Sequence, residues 1–289
     1  MPADLQPAVL GWWTEHGREL AWRATRDPWA ILVSELMLQQ TQVGRVEPKY
    51  TAFLAVFPTP AACASAPAGD VVRMWQGLGY NRRALNLHRT ARMCVARHGG
   101  RLPATLDQLL ALPGVGPYTA RAVLAFAFER DVGVVDTNVS RVLSRVRGEA
   151  LAGAAEAQRV ADAHVPAGAG WSWNQALFDL GATVCTKRAP ACDRCPVATA
   201  CCWARAGRPA PDPAVGAAGE ARPQGPLAGS DREGRGRLVD ALRSAPVAAD
   251  RVPEAAGWPG DPARAARVVE ALVGEGLVVR SADGSLRLP

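Results

Sequence analysis

Cys185, Cys192, Cys195 and Cys201 are separated by six, two and five residues, with Lys187, Arg188 and Arg194 among them. A two-residue gap flanked by longer loops lets four thiolates converge on one centre, and the intervening peptide then forms basic loops. On spacing alone a structural zinc ion is the favoured reading of this quartet, with an iron–sulfur cluster as the alternative. Either centre, closed by four thiolates, leaves no position for water or substrate, so it holds the loop and does not react. Cys63, Cys94 and Cys202 bring the total to seven. An odd number in a chain with no recognisable secretion signal argues against a disulfide framework.

Two carboxylates also stand out. Glu35 lies in Ser34-Glu35-Leu36-Met37-Leu38-Gln39-Gln40-Thr41-Gln42, an apolar helical stretch that runs into a series of amides. Asp136 lies in Val135-Asp136-Thr137-Asn138-Val139, after an apolar pair and before a helix. Each has an ordinary reading, Glu35 as a solvated helix face and Asp136 as an N-cap. A third motif, Leu112-Pro113-Gly114-Val115-Gly116-Pro117-Tyr118-Thr119, sits between apolar helical segments. Its glycines permit left-handed backbone angles and close approach of a nucleic-acid strand. Pro117 suits a first helical turn, whose free amides attract a phosphate oxygen. The motif matches the helix-hairpin-helix signature of DNA binding without sequence preference.

The elements that position these residues are helical. From Leu5 to about Trp203 apolar residues recur at helical spacing, as in Ile31, Val33, Leu36 and Met37, then Val123, Leu124, Phe126 and Ala127. Pro58, Pro60, Pro67, Gly99, Gly100, Pro113 and Gly114 divide this run into short helices. Residues 205–230 shift to Ala, Pro and Gly and read as a linker without a core. Residues 231–289 carry helical patterns around Leu238 and Val268 and then an Asp283-Gly284 turn. They read as a small winged-helix-like module, with a poorly ordered tail as the alternative.

The 289 residues, 48% of them hydrophobic, suffice for one sizeable core and a second small one. Thirty-three basic against 27 acidic residues, with a pI of about 9.2, suit a polyanionic partner. No basic leader precedes an apolar stretch, and no run of about eighteen apolar residues is present. The expected location is cytoplasmic, associated with the nucleoid through DNA and not with a membrane.

In this order, Glu35 to Val43, Leu78-Gly79-Tyr80, Leu112 to Thr119, Asp136 to Asn138 and the cysteine quartet resemble the adenine DNA glycosylases of the MutY type, within the endonuclease III superfamily. The resemblance covers roughly residues 5–204 and implies an all-α helix-hairpin-helix glycosylase fold over 1–204 whose cysteines hold a [4Fe-4S] cluster. It implies a monomer acting on double-stranded DNA with adenine opposite 8-oxoguanine or guanine. Breaking an adenine N-glycosidic bond requires a neutral leaving base and a stabilised sugar cation, a division of labour suited to paired carboxyl groups. By resemblance, Glu35 protonates adenine N7 and Asp136 stabilises the oxocarbenium ion, with Tyr118 and Asn138 orienting Asp136. Endonuclease III enzymes that also cut the strand carry a lysine where Tyr118 stands, and that amine forms their Schiff base. The resemblance therefore implies base removal without efficient strand cleavage.

The same pattern places Gln40, Thr41, Val43 and Tyr80 toward the strand opposite a flipped-out adenine. It places Gly114, Val115 and Gly116 against the phosphate backbone, and Arg18, Trp22, Arg23, Leu38 and Gln175 around the adenine. Ala21 and Asn81 depart from the family, which usually has proline and a second tyrosine there. The C-terminal 59 residues are too few for the Nudix-like domain that many members append. The module is then expected to assist lesion recognition through Arg232, Arg235 and Arg237. His16, His88, His98 and His164 have no metal-ligand spacing. A thymine glycosylase acting on T opposite G and a non-catalytic iron-sulfur DNA-binding protein are the alternatives.

Overall fold

The computed structural model describes residues 4–219 and 225–289. Its helices are α1 Leu5–His16, α2 Pro28–Leu38, α3 Val43–Val56, α4 Pro60–Ser65, α5 Ala68–Met74, α6 Arg82–Arg97, α7 Leu106–Leu110, α8 Pro117–Phe126, α9 Thr137–Arg147, α10 Ala154–Asp162, α11 Gly170–Thr183 and α12 Cys202–Arg205. They continue as α13 Asp231–Ser244, α14 Val252–Ala255 and α15 Pro262–Glu275, followed by strands β1 Val279–Arg280 and β2 Leu286–Arg287. Among the described residues no helix is long and apolar enough to cross a membrane.

The chain divides into two compact units. The first comprises Met1–Ile31, Ala104–Leu110 and Val115–Arg222; the second comprises Leu32–Pro103, Ala111–Gly114 and Pro223–Pro289. The expected boundaries at 204 and 231 therefore do not separate compact bodies, because the C-terminal module groups with residues 32–103. In the first unit α11 packs against both α1 and α9. Val139, Val142, Leu143 and Val146 recur at helical spacing along α9 and are buried, each contributing roughly 1.5–3 kcal/mol by leaving water. Asp136 starts this helix by accepting a hydrogen bond from Val139 N–H at 2.7 Å, and Gly148, left-handed at φ 80°, ends it.

The early part of the expected linker is held to this unit. Asp212 accepts hydrogen bonds from the buried Arg145 guanidinium, Trp203 Nε1 donates to the Pro209 carbonyl, and Ala218 N–H donates to the Leu151 carbonyl. Small residues supply few apolar contacts but leave backbone and carboxylate free to bond, which composition alone conceals. Residues 220–224 of the same stretch lie outside the described residues.

In the second unit α4 lies along α6, which buries Ala84, Leu87, Ala91 and Cys94. Residues 231–289 hold α13, α14 and α15 and the β1–β2 hairpin. Leu238, Val239, Leu242, Val268, Val269 and Leu272 are buried within its helices, β1 pairs antiparallel with β2, and Val247 bridges to Leu286.

Candidate active site

In the first unit the half-buried Asp136 is the centre of a hydrogen-bonded chain. Its Oδ1 accepts from Val139 N–H, and its Oδ2 accepts from Asn138 Nδ2 at 2.7 Å. Asn138 Oδ1 in turn accepts from Arg141 Nη2 at 2.7 Å, while Arg141 Nε donates to the Cys185 carbonyl at 2.7 Å. Asp136 and the first cysteine are thus linked through two side chains. Burial pushes the Asp136 pKa above the ordinary carboxylate value, although the Val139 amide, Asn138 and Arg141 pull against it.

The close approach of α11 to the start of α9 depends on Gly181. A Cβ there would lie 2.7 Å from Asn138 Cβ and 3.2 Å from Asn138 backbone atoms. Tyr118, in the first turn of α8, stacks on Phe178 with ring centroids 6.4 Å apart and planes inclined by 29°.

Arg18 and Arg23 converge on one buried carboxylate. Asp179 accepts from Arg18 Nε at 2.6 Å, Arg18 N at 3.0 Å, Arg23 Nη1 at 2.7 Å, Arg23 Nη2 at 2.9 Å and Trp13 Nε1 at 3.0 Å. Burial would raise the Asp179 pKa, but the two guanidiniums outweigh it and hold the group below its usual value. The two arginines therefore have a structural partner in addition to any contact with a base. Trp22 and Gln175 are buried near the same helices, 5% and 4% exposed.

Cys185, Cys192, Cys195 and Cys201 line one cavity with Val142, Leu180, Val184 and Val197, and none is in a disulfide. Arg145 Nη1 donates to Cys185 Sγ at 3.3 Å. Burial pushes the Cys195 thiol up to about 11, and the other three cysteines, close enough to repel a thiolate there, add to the shift. Among the described residues no three such side chains stand as close as a single metal ion requires. Cys202 is exposed beside the quartet.

In the second unit Glu35 is 4% exposed and sits on α2 among Leu32, Leu36 and Met37. Where α2 ends, its last carbonyls need donors from elsewhere, and Arg83 supplies them. Arg83 Nη1 donates to the carbonyls of Leu36, Met37 and Gln39; Nη2 donates to those of Leu78 and Gly79 and to Thr41 Oγ1. This buried guanidinium ties the turn after α2 to the turn before α6. Burial lowers its pKa to about 10, which leaves it protonated at neutral pH.

Both turns carry a left-handed residue that is not glycine, Gln40 at φ 55° and Tyr80 at φ 46°. Each such residue costs about 1–3 kcal/mol and persists where surrounding bonds over-determine it. Gln40 is exposed, Tyr80 is 46% exposed, Thr41 and Leu38 are half-buried, and Val43 opens α3. In the hairpin, Gly114 is left-handed at φ 78°, and a Cβ there would lie 2.8 Å from the Asn86 side chain. Val115 is buried, whereas Gly116 is exposed with open space at its α-carbon.

The model of the HhH-GPD superfamily of base excision DNA repair proteins matches residues 33–163. The chain is 42% identical over 284 residues to the adenine DNA glycosylase of Mycolicibacterium smegmatis, covering 97% of this chain and 94% of that protein. The chain belongs to the adenine DNA glycosylases. The human adenine DNA glycosylase is 42% identical over 214 residues, 67% of this chain and 38% of the human protein. A thermostable thymine-DNA glycosylase aligns with TM-score 0.64 and 31% identity, over 69% of this chain and 94% of that one. An endonuclease III trapped in a covalent DNA intermediate shares the fold, with TM-score 0.61 and 22% identity over 71% of this chain and 95% of that one.

Within this adenine glycosylase the first unit brings together Asp136, Asn138 and the cysteine loop, and the second brings together Gln40, Thr41 and Tyr80. Asp179, Arg141, Arg83 and Gly181 were missed in the sequence. An acid within an apolar helix singled out Glu35, and Asp179 carries the same signal between Phe178 and Leu180. Arg83 gives none, because its partners are backbone carbonyls.

Proposed function

We propose that this protein is a monofunctional adenine DNA glycosylase that hydrolyses the N-glycosidic bond of adenine opposite 8-oxoguanine or guanine in double-stranded DNA. The observation that carries the reading is the setting of Asp136, a half-buried carboxylate held by the backbone at the start of α9 and by the Asn138 side chain. Such a group is fixed in place and only partly compensated, so a positive charge developing beside it gains more than it would in water. Glu35 donates a proton to adenine N7 as the base leaves, and Asp136 stabilises the sugar cation until water adds. Tyr118 supplies no amine, so the abasic site remains uncut.

A [4Fe-4S] cluster would be held by Cys185, Cys192, Cys195 and Cys201 and would supply a rigid anchor for the basic loop. Support for a common centre comes from the four thiols lining one cavity. The protein acts as a monomer in the cytoplasm, on the nucleoid.

Single-turnover incubation with A·8-oxoguanine, A·G and T·G duplexes, with and without alkali, tests this reading. Release of adenine, with strand breaks after alkali alone and loss of release in Glu35→Gln, is expected. The likeness to a thymine-DNA glycosylase makes T·G the second reading, and preferential cutting of that duplex would establish it.

A further inference from the structure

The C-terminal module has no lysine and carries nine arginines against nine acidic residues between 231 and 289. Many of its arginines pair with its own carboxylates: Arg235 with Glu275, Arg237 with Glu233 and Arg264 with Asp231. That pairing offsets the charge that Arg235 and Arg237 would offer a phosphate.

Arg243 is different. It lies in the last turn of α13, its side chain is 7% exposed, and besides pairing with Asp240 it reaches out of the module. Its Nη2 donates to Asn81 Oδ1 at 2.7 Å and its Nε to the Val72 carbonyl at 3.2 Å, while Arg73 Nε donates to the Arg243 carbonyl at 3.2 Å. Two further bonds seat the module on the same layer, from Gly69 N–H to the Pro289 carbonyl oxygen at 2.6 Å and from Arg89 Nη2 to the Glu275 carbonyl at 3.1 Å. A Cβ on Gly69 would come within 2.7 Å of that Pro289 oxygen, so the fit is close.

We infer that Arg243 is a positioning residue for opposite-base recognition, with the C-terminal module acting as a brace that fixes the Gly79-Tyr80-Asn81 turn through Asn81. The inference rests on the reading of Tyr80 as the probe of the opposite base. Asn81 follows the strained, exposed Tyr80 directly and opens α6, so a tether on its carboxamide limits how far the turn can relax. Asn81 also stands where the family usually has tyrosine, and a short carboxamide leaves an oxygen for the guanidinium. Arg83 holds the turn from beneath by its carbonyls, and Arg243 holds it from the module by a side chain.

The test measures single-turnover adenine release from A·8-oxoguanine and A·G duplexes for the full chain and for Arg243→Met, Asn81→Ala, the double variant and Tyr80→Ala, with a melting temperature for each. Arg243→Met and Asn81→Ala should each lower the A·8-oxoguanine to A·G rate ratio by about threefold to tenfold, and the double variant should fall no further than either. Asn81→Ala alone decides the matter if Arg243→Met does not fold, since Asn81 is half-buried and lies outside the module. A ratio that Tyr80→Ala lowers while Asn81→Ala leaves it unchanged overturns the brace and keeps Tyr80 as the probe. A ratio unchanged by Tyr80→Ala, or absent in the parent, overturns the reading beneath it. Losses that multiply in the double variant also overturn the brace, because Arg243 would then act through something other than Asn81.

Discussion

Replacing Asn138 by alanine removes one of the donors that oppose the upward push of burial on the Asp136 pKa. The lost bond is the 2.7 Å contact from Nδ2 to Oδ2. A hydrogen bond to a charged group is worth roughly 1.5–3 kcal/mol, and about 1.4 kcal/mol corresponds to one pKa unit. The Val139 amide stays in place, so the lower end of that range applies, and the Asp136 pKa should rise further in the direction burial already pushes it. On the proposal that Asp136 works as the anion, with its pKa already raised by burial, the change moves the acid limb of the pH–rate profile further upward. Below the new pKa the variant should be about tenfold slower, and at high pH the two rates should converge.

The stability effect has a fixed sign. A folded-state pKa above the unfolded value means that the native state holds the proton more tightly. Stability from this group is therefore lost as pH rises from the ordinary carboxylate range through the raised pKa. Asn138→Ala widens that window. Single-turnover adenine release across pH, with enzyme in excess, reads the limb directly. A rate lowered by the same factor at every pH, with the limb unmoved, would refute the reasoning.

Gly181→Ala should push α9 away from α11 and cost about 1–3 kcal/mol of stability; adenine release should fall further than the melting temperature explains, because the displaced residue is Asn138. Arg83→Met leaves the carbonyls of Leu36, Met37, Gln39, Leu78 and Gly79 without their guanidinium, and urea unfolding should show a loss of at least about 3 kcal/mol. Asp179→Asn leaves Arg18 and Arg23 without their carboxylate and should destabilise by about 3–5 kcal/mol, again read by urea unfolding. Metal analysis of the full chain should find about four iron atoms and no stoichiometric zinc, as four cysteine ligands of one cluster require, and Cys192→Ser should lower that iron content.

Where a residue announced itself by type against its surroundings, the sequence was legible. A carboxylate before a helix marked Asp136 and the Gly-x-Gly turn marked the hairpin. The four cysteines marked their own loop, and the structure gathers them at one cavity. The module was recognisable because its helices and terminal hairpin keep their own apolar periodicity. What stayed hidden depends on backbone geometry and distant partners. Arg83 bonds mainly to carbonyls, which every residue possesses, and Gly181 matters through the approach of a helix some forty residues away. Asp212 and Pro209 lie in a stretch whose composition suggests no contacts, yet they hold Arg145 and Trp203. Arg18 and Arg23 fit a base pocket by pattern, but the pattern did not contain their partner Asp179.

The central claim is hydrolysis of an adenine glycosidic bond without strand cutting, carried by Glu35 and Asp136. Single-turnover incubation with a duplex holding adenine opposite 8-oxoguanine, analysed for free adenine and for strand breaks before and after alkali, tests it most directly. Free adenine with breaks after alkali alone, both abolished in Asp136→Asn, is the predicted result. Strand breaks without alkali, or adenine release that survives Asp136→Asn, would contradict it.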